Sequence, residues 1–270
     1  MILHVDSFKY YLKIEQSDSS LPYLLLFHGF MGSAINFSHL INPLSTFCNP
    51  ITIDLLGHGR SDVCHDTKAY SAENQISHIH SILERLQIQN LHLYGYSMGG
   101  RLAFQLLHHF PGFFQSGIIE SAHCGLKNEP DRLERKKSDE LLAIEIVNNF
   151  EAFLEKWVRL PLFKSTPNRF KEIYKKGMLS QDHRSMAASL RGFGSGVMPY
   201  ICDKINEFEI PVHLIAGEKD LKYHLQMEQL SLMNSKFTYS PVPNAGHRVH
   251  ADQPELLIEL IREFLYRQNL

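Results

Sequence analysis

The sequence predicts an α/β fold, a mostly parallel eight-stranded sheet with helices on both faces, on three observations. Short continuous apolar runs such as Tyr23-Leu24-Leu25-Leu26-Phe27 read as strands buried on both sides. They alternate with segments of helical periodicity, the pattern of a parallel sheet. One run, Leu91 to Tyr96, passes through Gly95-Tyr96-Ser97-Met98-Gly99 straight into an apolar helical pattern. That strand–turn–helix context is what a Gly-x-Ser-x-Gly nucleophile elbow requires.

Taken in order, residues 1 to 14 read as an opening hairpin, with Tyr10, Tyr11, Leu12 and Ile14 as strand formers. Tyr23 to Phe27 follows and ends in His28-Gly29-Phe30-Met31-Gly32-Ser33. Ile51-Thr52-Ile53-Asp54 is the next strand, leading into Gly57-His58-Gly59-Arg60-Ser61-Asp62. Ser71 is placed to cap a helix running to Leu86. The elbow strand and its helix come next, and Gln115 to Ser121 gives a further strand. After Gly125 the texture changes: Lys127 to Arg191 is charged and helical in pattern, without buried strands. The sheet pattern returns at Val212 to Gly217 and Phe237 to Val242, and Asp252-Gln253-Pro254 opens a last amphipathic helix. The expected organisation is therefore a sheet core of residues 1–125 and 197–270, interrupted by a helical cap insert of residues 126–196.

Bulk properties narrow the function classes. With 44% hydrophobic and 21% charged residues the composition is that of an ordinary globular protein. A net charge of −2 gives no signal for nucleic acid or a membrane surface. The segment Met1 to Asp6 carries no basic and apolar leader pattern, and no apolar run approaches the ~20 residues of a membrane span. Cytoplasmic localisation is expected. Cys48, Cys64, Cys124 and Cys202 are scattered, so four isolated thiols in a reducing compartment are expected rather than a disulfide frame. The sixteen histidines show no metal-ligand spacing, so neither a metal nor a cofactor is expected. The insert carries 14 Lys and Arg against 10 Asp and Glu, on a body that is net acidic. That asymmetry is a modest signal for an anionic ligand beneath the insert; the alternative is that these lysines solvate exposed helix faces.

The chemistry rests on three residues. A serine hydroxyl is a poor nucleophile and base at neutral pH. It needs a histidine, and the histidine needs a carboxylate to hold its tautomer and balance its charge. Asp220 follows Ala-Gly-Glu-Lys after one buried strand, and His247 follows Asn-Ala-Gly after another. Each alone could be a helix cap or a loop histidine; together, in the order Ser97, Asp220, His247, they form a candidate triad. Oxyanion stabilisation needs two pre-aimed N–H groups, expected from Met98 and from Phe30, with Gly29 removing a side chain from the approach. Arg101 lies four residues after Ser97, about 40° away on the same helix face. A guanidinium there suits a substrate carboxylate, with a structural ion pair as the alternative.

The motifs His28-Gly29-Phe30-Met31-Gly32, Asp54-Leu55-Leu56-Gly57-His58-Gly59-Arg60-Ser61-Asp62, Gly95-Tyr96-Ser97-Met98-Gly99-Gly100-Arg101, Ala216-Gly217-Glu218-Lys219-Asp220 and Asn244-Ala245-Gly246-His247 resemble those of the α/β-hydrolase superfamily. A narrower resemblance is to the 2-succinyl-6-hydroxy-2,4-cyclohexadiene-1-carboxylate synthases of menaquinone biosynthesis. It is carried by the elbow through Ala103, by Ile119-Glu120-Ser121-Ala122-His123-Cys124-Gly125-Leu126, by Leu133-Glu134-Arg135-Lys136-Lys137-Ser138-Asp139, by Trp157 with Leu160 to Phe163, and by Leu190-Arg191-Gly192.

This resemblance implies a lyase that uses the triad as a base to eliminate pyruvate from a cyclohexene tricarboxylate. It also implies that Arg101, Arg135, Tyr96, Trp157, His28 and Gly29 are substrate-site residues. The family arginine expected in the second half of the insert has no clear counterpart; Met178 falls near it, with Lys175 and Lys176 close by. The competing readings are a serine hydrolase of esters or carbon–carbon bonds with the same triad, and a non-catalytic binding relative, against which the intact triad weighs. The expected partner is a small anionic polycarboxylate, with the chain a monomer or homodimer.

Overall fold

In the computed structural model, which describes residues 1–268, the chain opens with the antiparallel pair β1 (Ile2–Val5) and β2 (Phe8–Ile14). β2 also runs antiparallel to β4 (Asn49–Ile53). From β4 onward the sheet is parallel: β3 (Tyr23–Phe27), β5 (Leu91–Tyr96), β6 (Ser116–Glu120), β7 (Val212–Gly217) and β8 (Phe237–Val242). The spatial order is β1-β2-β4-β3-β5-β6-β7-β8, an eight-stranded, mostly parallel sheet.

The apolar runs are continuous because both faces of the central strands are covered. Along β3, Leu25 and Phe27 enter one core while Leu24 and Leu26 enter the other. The period of two divides β6 in the same way, Ile119 to the first core and Ile118 to the second. Helices α2 (Ala72–Leu86), α3 (Met98–His109) and α8 (Leu221–Ser231) supply the first core. α1 (Ser38–Leu44) and α10 (Pro254–Gln268) supply the second. Ser71 caps α2 by accepting from the Asn74 N–H, as its position predicts.

Between β6 and β7 every described element is helical: α4 (Glu129–Asn148), α5 (Phe150–Trp157), α6 (Asn168–Leu179) and α7 (His183–Phe193), with one short 3-10 turn after α5 and another before β7. These helices bury a third apolar cluster of their own, including Ala143, Ile146, Leu154, Phe170, Met178 and Met186. The cluster closes onto Met31 and Ala251 of the sheet body, so the insert sits over the carboxyl ends of the strands. A short helix that the sequence reading did not anticipate, α9 (Val249–Asp252), lies directly ahead of α10 and offers Ala251 to that contact. No helix among the described residues is long and apolar enough to cross a membrane.

One expectation is corrected. Cys124 and Cys202 are not isolated thiols but form a disulfide, with Cα atoms 5.1 Å apart. Spacing could not show this, because 78 residues separate them and the whole insert lies between. The bond ties the segment just after β6, which enters the insert, to the start of the 3-10 turn before β7, where the Ile201 N–H also donates to the Cys124 carbonyl. Cys48 and Cys64 stay free and buried.

Closing a loop of that length restricts the unfolded chain by on the order of 4 kcal/mol in the chain-entropy view. Denaturant titrations with and without a thiol reductant should differ by up to that amount. Cys124→Ser should match the reduced wild type. Identical midpoints in all three would remove the bond from the stability of the fold.

Candidate active site

The elbow begins where β5 ends. Ser97 has φ 53° and ψ −109°, between Tyr96 of the strand and Met98 of α3. A non-glycine residue held there stores on the order of 1–3 kcal/mol of strain. Two hydrogen bonds hold it: the Ser97 N–H donates to the Glu120 carbonyl, and the Arg101 N–H donates to the Ser97 carbonyl, both at 2.9 Å. The turn is so tight that a Cβ on Gly95 would lie 2.6 Å from the Gly99 carbonyl oxygen. One on Gly99 would lie 2.5 Å from that of Phe27. Only glycine fits at both places.

The sequence-predicted partners converge on that serine. The Ser97 hydroxyl donates to His247 Nε2 at 2.9 Å, and His247 Nδ1 donates to Asp220 Oδ2 at 2.6 Å. Asp220 stands at the head of α8 without capping it, so its side chain is free for the imidazole. His247 is 6% exposed, on the loop after β8, where its N–H meets the Leu162 carbonyl of the insert. A serine, a histidine and a carboxylate 150 and 27 residues apart thus form one relay. It can move a proton from the hydroxyl to the imidazole and stabilise the resulting charge.

A cavity of about 330 Å³ opens above Ser97. Gly29, Phe30, Tyr96, Met98 and His247 form its floor, and Arg135, Leu142, Trp157, Phe163, Met178 and Leu190 of the insert form its roof. Met98 is the first residue of α3, so its N–H has no intrahelical acceptor. Phe30 is on the loop after β3, facing the same cavity. Gly29 is required beneath them, since a Cβ there would lie 2.6 Å from the Tyr96 ring. The Trp157 ring packs with Phe30, Phe153 and Phe163, and its indole N–H is buried without an acceptor.

Arg101 reaches the cavity wall, 8% exposed. It donates to the Phe193 carbonyl and to Ser195 Oγ and makes no ion pair among the described residues. Burial, and then neighbouring Arg135, lower its pKa to about 10. Arg135 pairs with Asp139 at 2.8 Å and keeps access to the cavity. Lys222 and Tyr223, on the first turn of α8, complete this wall; burial and Arg135 also push the Lys222 ammonium down. A region that depresses the pKa of its own cations is one where an anion is electrostatically wanted.

His28 is placed differently from the sequence expectation. It lies outside the cavity lining and is fully buried. Its Nε2 accepts from the Leu55 N–H and its Nδ1 donates to the Gly29 carbonyl, which occupies both ring nitrogens. Burial lowers its pKa to about 4, so it is a neutral brace for the Phe30 loop. In the second half of the insert, Met178 lines the cavity, whereas Lys175 pairs with Glu155 and Lys176 faces a different surface.

Comparison with known proteins shows the family. Residues 22–166 match the family model of the alpha/beta hydrolase fold. A Bacillus subtilis (strain 168) protein, provisionally named a 2-succinyl-6-hydroxy-2,4-cyclohexadiene-1-carboxylate synthase, is 34% identical over 94% of both chains. The chain belongs to this MenH family of the α/β-hydrolase superfamily. A Salmonella arizonae synthase of the same name is 25% identical over 92% of this chain and 95% of its own. The structure of MenH from S. aureus superposes with a TM-score of 0.91 at 26% identity, covering 97% of this chain and 99% of that one. Membership in MenH makes the chain an α/β-hydrolase-superfamily enzyme with a role in menaquinone biosynthesis.

The MenH-type site also contains residues that the sequence reading missed. Ser195 Oγ bridges Arg101 to the buried His123, a link between two segments with no shared motif. Lys222 and Arg248 line the cavity, and their only sequence signal was adjacency to Asp220 and His247. Beneath the elbow, Glu120 is fully buried, hydrogen-bonded to the Tyr94 hydroxyl and to the ring and backbone N of His250. Burial raises the Glu120 pKa to about 8 and, with Arg248 nearby, lowers that of His250 to about 3. The shared proton therefore rests on the carboxyl, and the pair is neutral.

That assignment has a sign. A carboxyl raised from 4.5 to about 8 contributes stability below pH 4.5 that is lost as pH rises toward 8. His250, lowered from 6.5, acts the other way between pH 3 and 6.5 and contributes no slope above that. Between pH 6.5 and 8 wild type should lose up to about 2 kcal/mol that Glu120→Gln retains. Urea titrations at both pH values check this; parallel losses in the two proteins would refute the neutral carboxyl.

Proposed function

We propose that this chain eliminates pyruvate from 2-succinyl-5-enolpyruvyl-6-hydroxy-3-cyclohexene-1-carboxylate. The product is 2-succinyl-6-hydroxy-2,4-cyclohexadiene-1-carboxylate, and the Ser97–His247–Asp220 relay is the base. The observation that carries this reading is Arg101: a buried guanidinium without a carboxylate partner, four residues from the serine and open to its cavity. A neutral ester has no use for it, whereas a polycarboxylate supplies its counter-charge. The MenH relatives support the same choice of substrate.

In this reading the Ser97 oxygen takes the proton next to a substrate carbonyl while its own proton passes to His247 Nε2, and Asp220 balances the imidazolium. The electron pair left on carbon is delocalised onto the carbonyl oxygen, which accepts from the N–H groups of Phe30 and Met98. Collapse of that enolate forms one ring double bond, moves the existing ring double bond one position along and breaks the ring C–O bond. Pyruvate departs as its enolate, takes up the proton now on the Ser97 hydroxyl and becomes the keto acid, while His247 returns its proton to Ser97. No water attacks and no acyl group is carried by the enzyme.

Ser97→Ala, His247→Ala and Asp220→Ala should each abolish pyruvate release while substrate binding, read by calorimetry, persists. Arg101→Ala should reduce kcat/KM by roughly ten- to a hundredfold, because a charged hydrogen bond contributes about 1.5–3 kcal/mol. Intact-protein mass spectrometry during turnover should find Ser97 unmodified. A serine adduct forming and decaying at the turnover rate would instead make the protein a hydrolase.

A further inference from the structure

A second arginine lines the cavity, with contacts different from those of Arg101. Arg248 follows His247 directly, is 5% exposed, and belongs to the cavity lining. Its guanidinium lies 3.6 Å over the Phe163 ring centroid and 5.0 Å from that of Tyr174, close enough to the Tyr96 hydroxyl for its charge to act on it. No carboxylate oxygen among the described residues lies within 4.0 Å of it. The nearby acids are engaged elsewhere, Glu120 with Tyr94 and His250, and Asp252 with the Gly246 N–H. Aromatic faces hold the cation in place but do not neutralise it.

The two unpaired guanidiniums are separate. Arg101 shares its wall with Arg135, Lys222 and Tyr223, whereas Arg248 is held by Phe163, Tyr174 and Tyr96. The His247 ring touches both sets, Tyr223 at 4.9 Å on one and Tyr96 at 5.4 Å on the other. A buried cation without a partner is stable only if something supplies the missing charge. The two guanidiniums have no contact in common, so each calls for a counter-charge of its own.

We propose that Arg248 is a second anion-binding pole, which holds a substrate carboxylate other than the one held by Arg101. It thereby makes the site selective for substrates carrying at least two carboxylates. The inference rests on the polycarboxylate reading above and names the residue that would enforce it. A planar guanidinium held on aromatic faces can pair with a carboxylate through two N–H groups, so lysine should serve less well than arginine.

The test uses unreactive probes: succinate, glutarate and adipate, each against its monomethyl ester, with binding measured by calorimetry. Wild type should bind the best-fitting dianion at least tenfold more tightly than its monoester. Arg248→Gln should weaken that dianion at least tenfold and the monoester by less than twofold, removing the preference, and Arg248→Lys should restore part of it. Absence of dianion preference in wild type at every length overturns the proposal without any variant. So does an Arg248→Gln protein that keeps the preference, or that weakens both probes equally, since equal loss marks a packing defect. Pyruvate release by wild type is scored separately. Release without an Arg248-dependent preference sinks the pole and leaves the lyase, and the converse result sinks the lyase and leaves the pole.

Discussion

The backbone of Ser97 is the constraint on which the site depends. A serine at φ 53° has its hydroxyl pushed clear of both strand and helix, which is why His247 can reach it from a loop 150 residues away. The strain, on the order of 1–3 kcal/mol, must be met by its surroundings. Two backbone hydrogen bonds contribute about 1 kcal/mol each, and the absence of Cβ atoms at Gly95 and Gly99 prevents a larger clash. The carbonyl that anchors the Ser97 N–H belongs to Glu120, whose side chain ties Tyr94 of β5 to His250 of α9. The elbow is therefore braced by a neutral buried network that also fixes the segment bearing His247 and Arg248.

Electrostatics then act on that rigid floor. The helical insert turns what would be an open strand end into an enclosed cavity, and low-dielectric walls make an unpaired cation costly. Arg101 shows this directly, its pKa held down near 10 by burial and by Arg135. Such an arrangement stabilises the fold less than an apolar wall of the same shape would, so it is best understood as binding energy kept for an anion. The disulfide between Cys124 and Cys202 ties together the two ends of the chain segment that forms the insert.

Much of this was legible in the sequence, for identifiable reasons. Ser97 announced itself because its turn demands glycine two residues to either side. Asp220 and His247 were readable because each follows a buried strand at a position where a loop must begin. Leu24 to Phe27 predicted a doubly covered strand because alternate residues enter different cores. What was not legible depends on contacts between distant segments. The cysteine pair spans the insert, Ser195 meets Arg101 only after folding, and α9 is too short for its periodicity to register. His28 misled because its motif borders the oxyanion loop, while its ring turns inward to brace that loop.

The relay itself is indifferent to the reaction. Ser97, His247 and Asp220, with the oxyanion-binding N–H groups proposed on Phe30 and Met98, can equally attack an acyl group or withdraw a proton from carbon, since both would produce an oxyanion at the same place. The choice must come from what the cavity admits and how it orients it. Hydrolysis needs the serine oxygen aimed at a carbonyl carbon and a water to finish the reaction. Elimination needs the same oxygen aimed at a hydrogen, and no water. Carboxylates fixed by guanidiniums on two walls would leave a ring little freedom to present anything but one edge to the serine, and aromatic residues on the roof would fill the space a water requires. In the proposed mechanism the arginines therefore set the chemistry by positioning, while the triad supplies only the proton transfer.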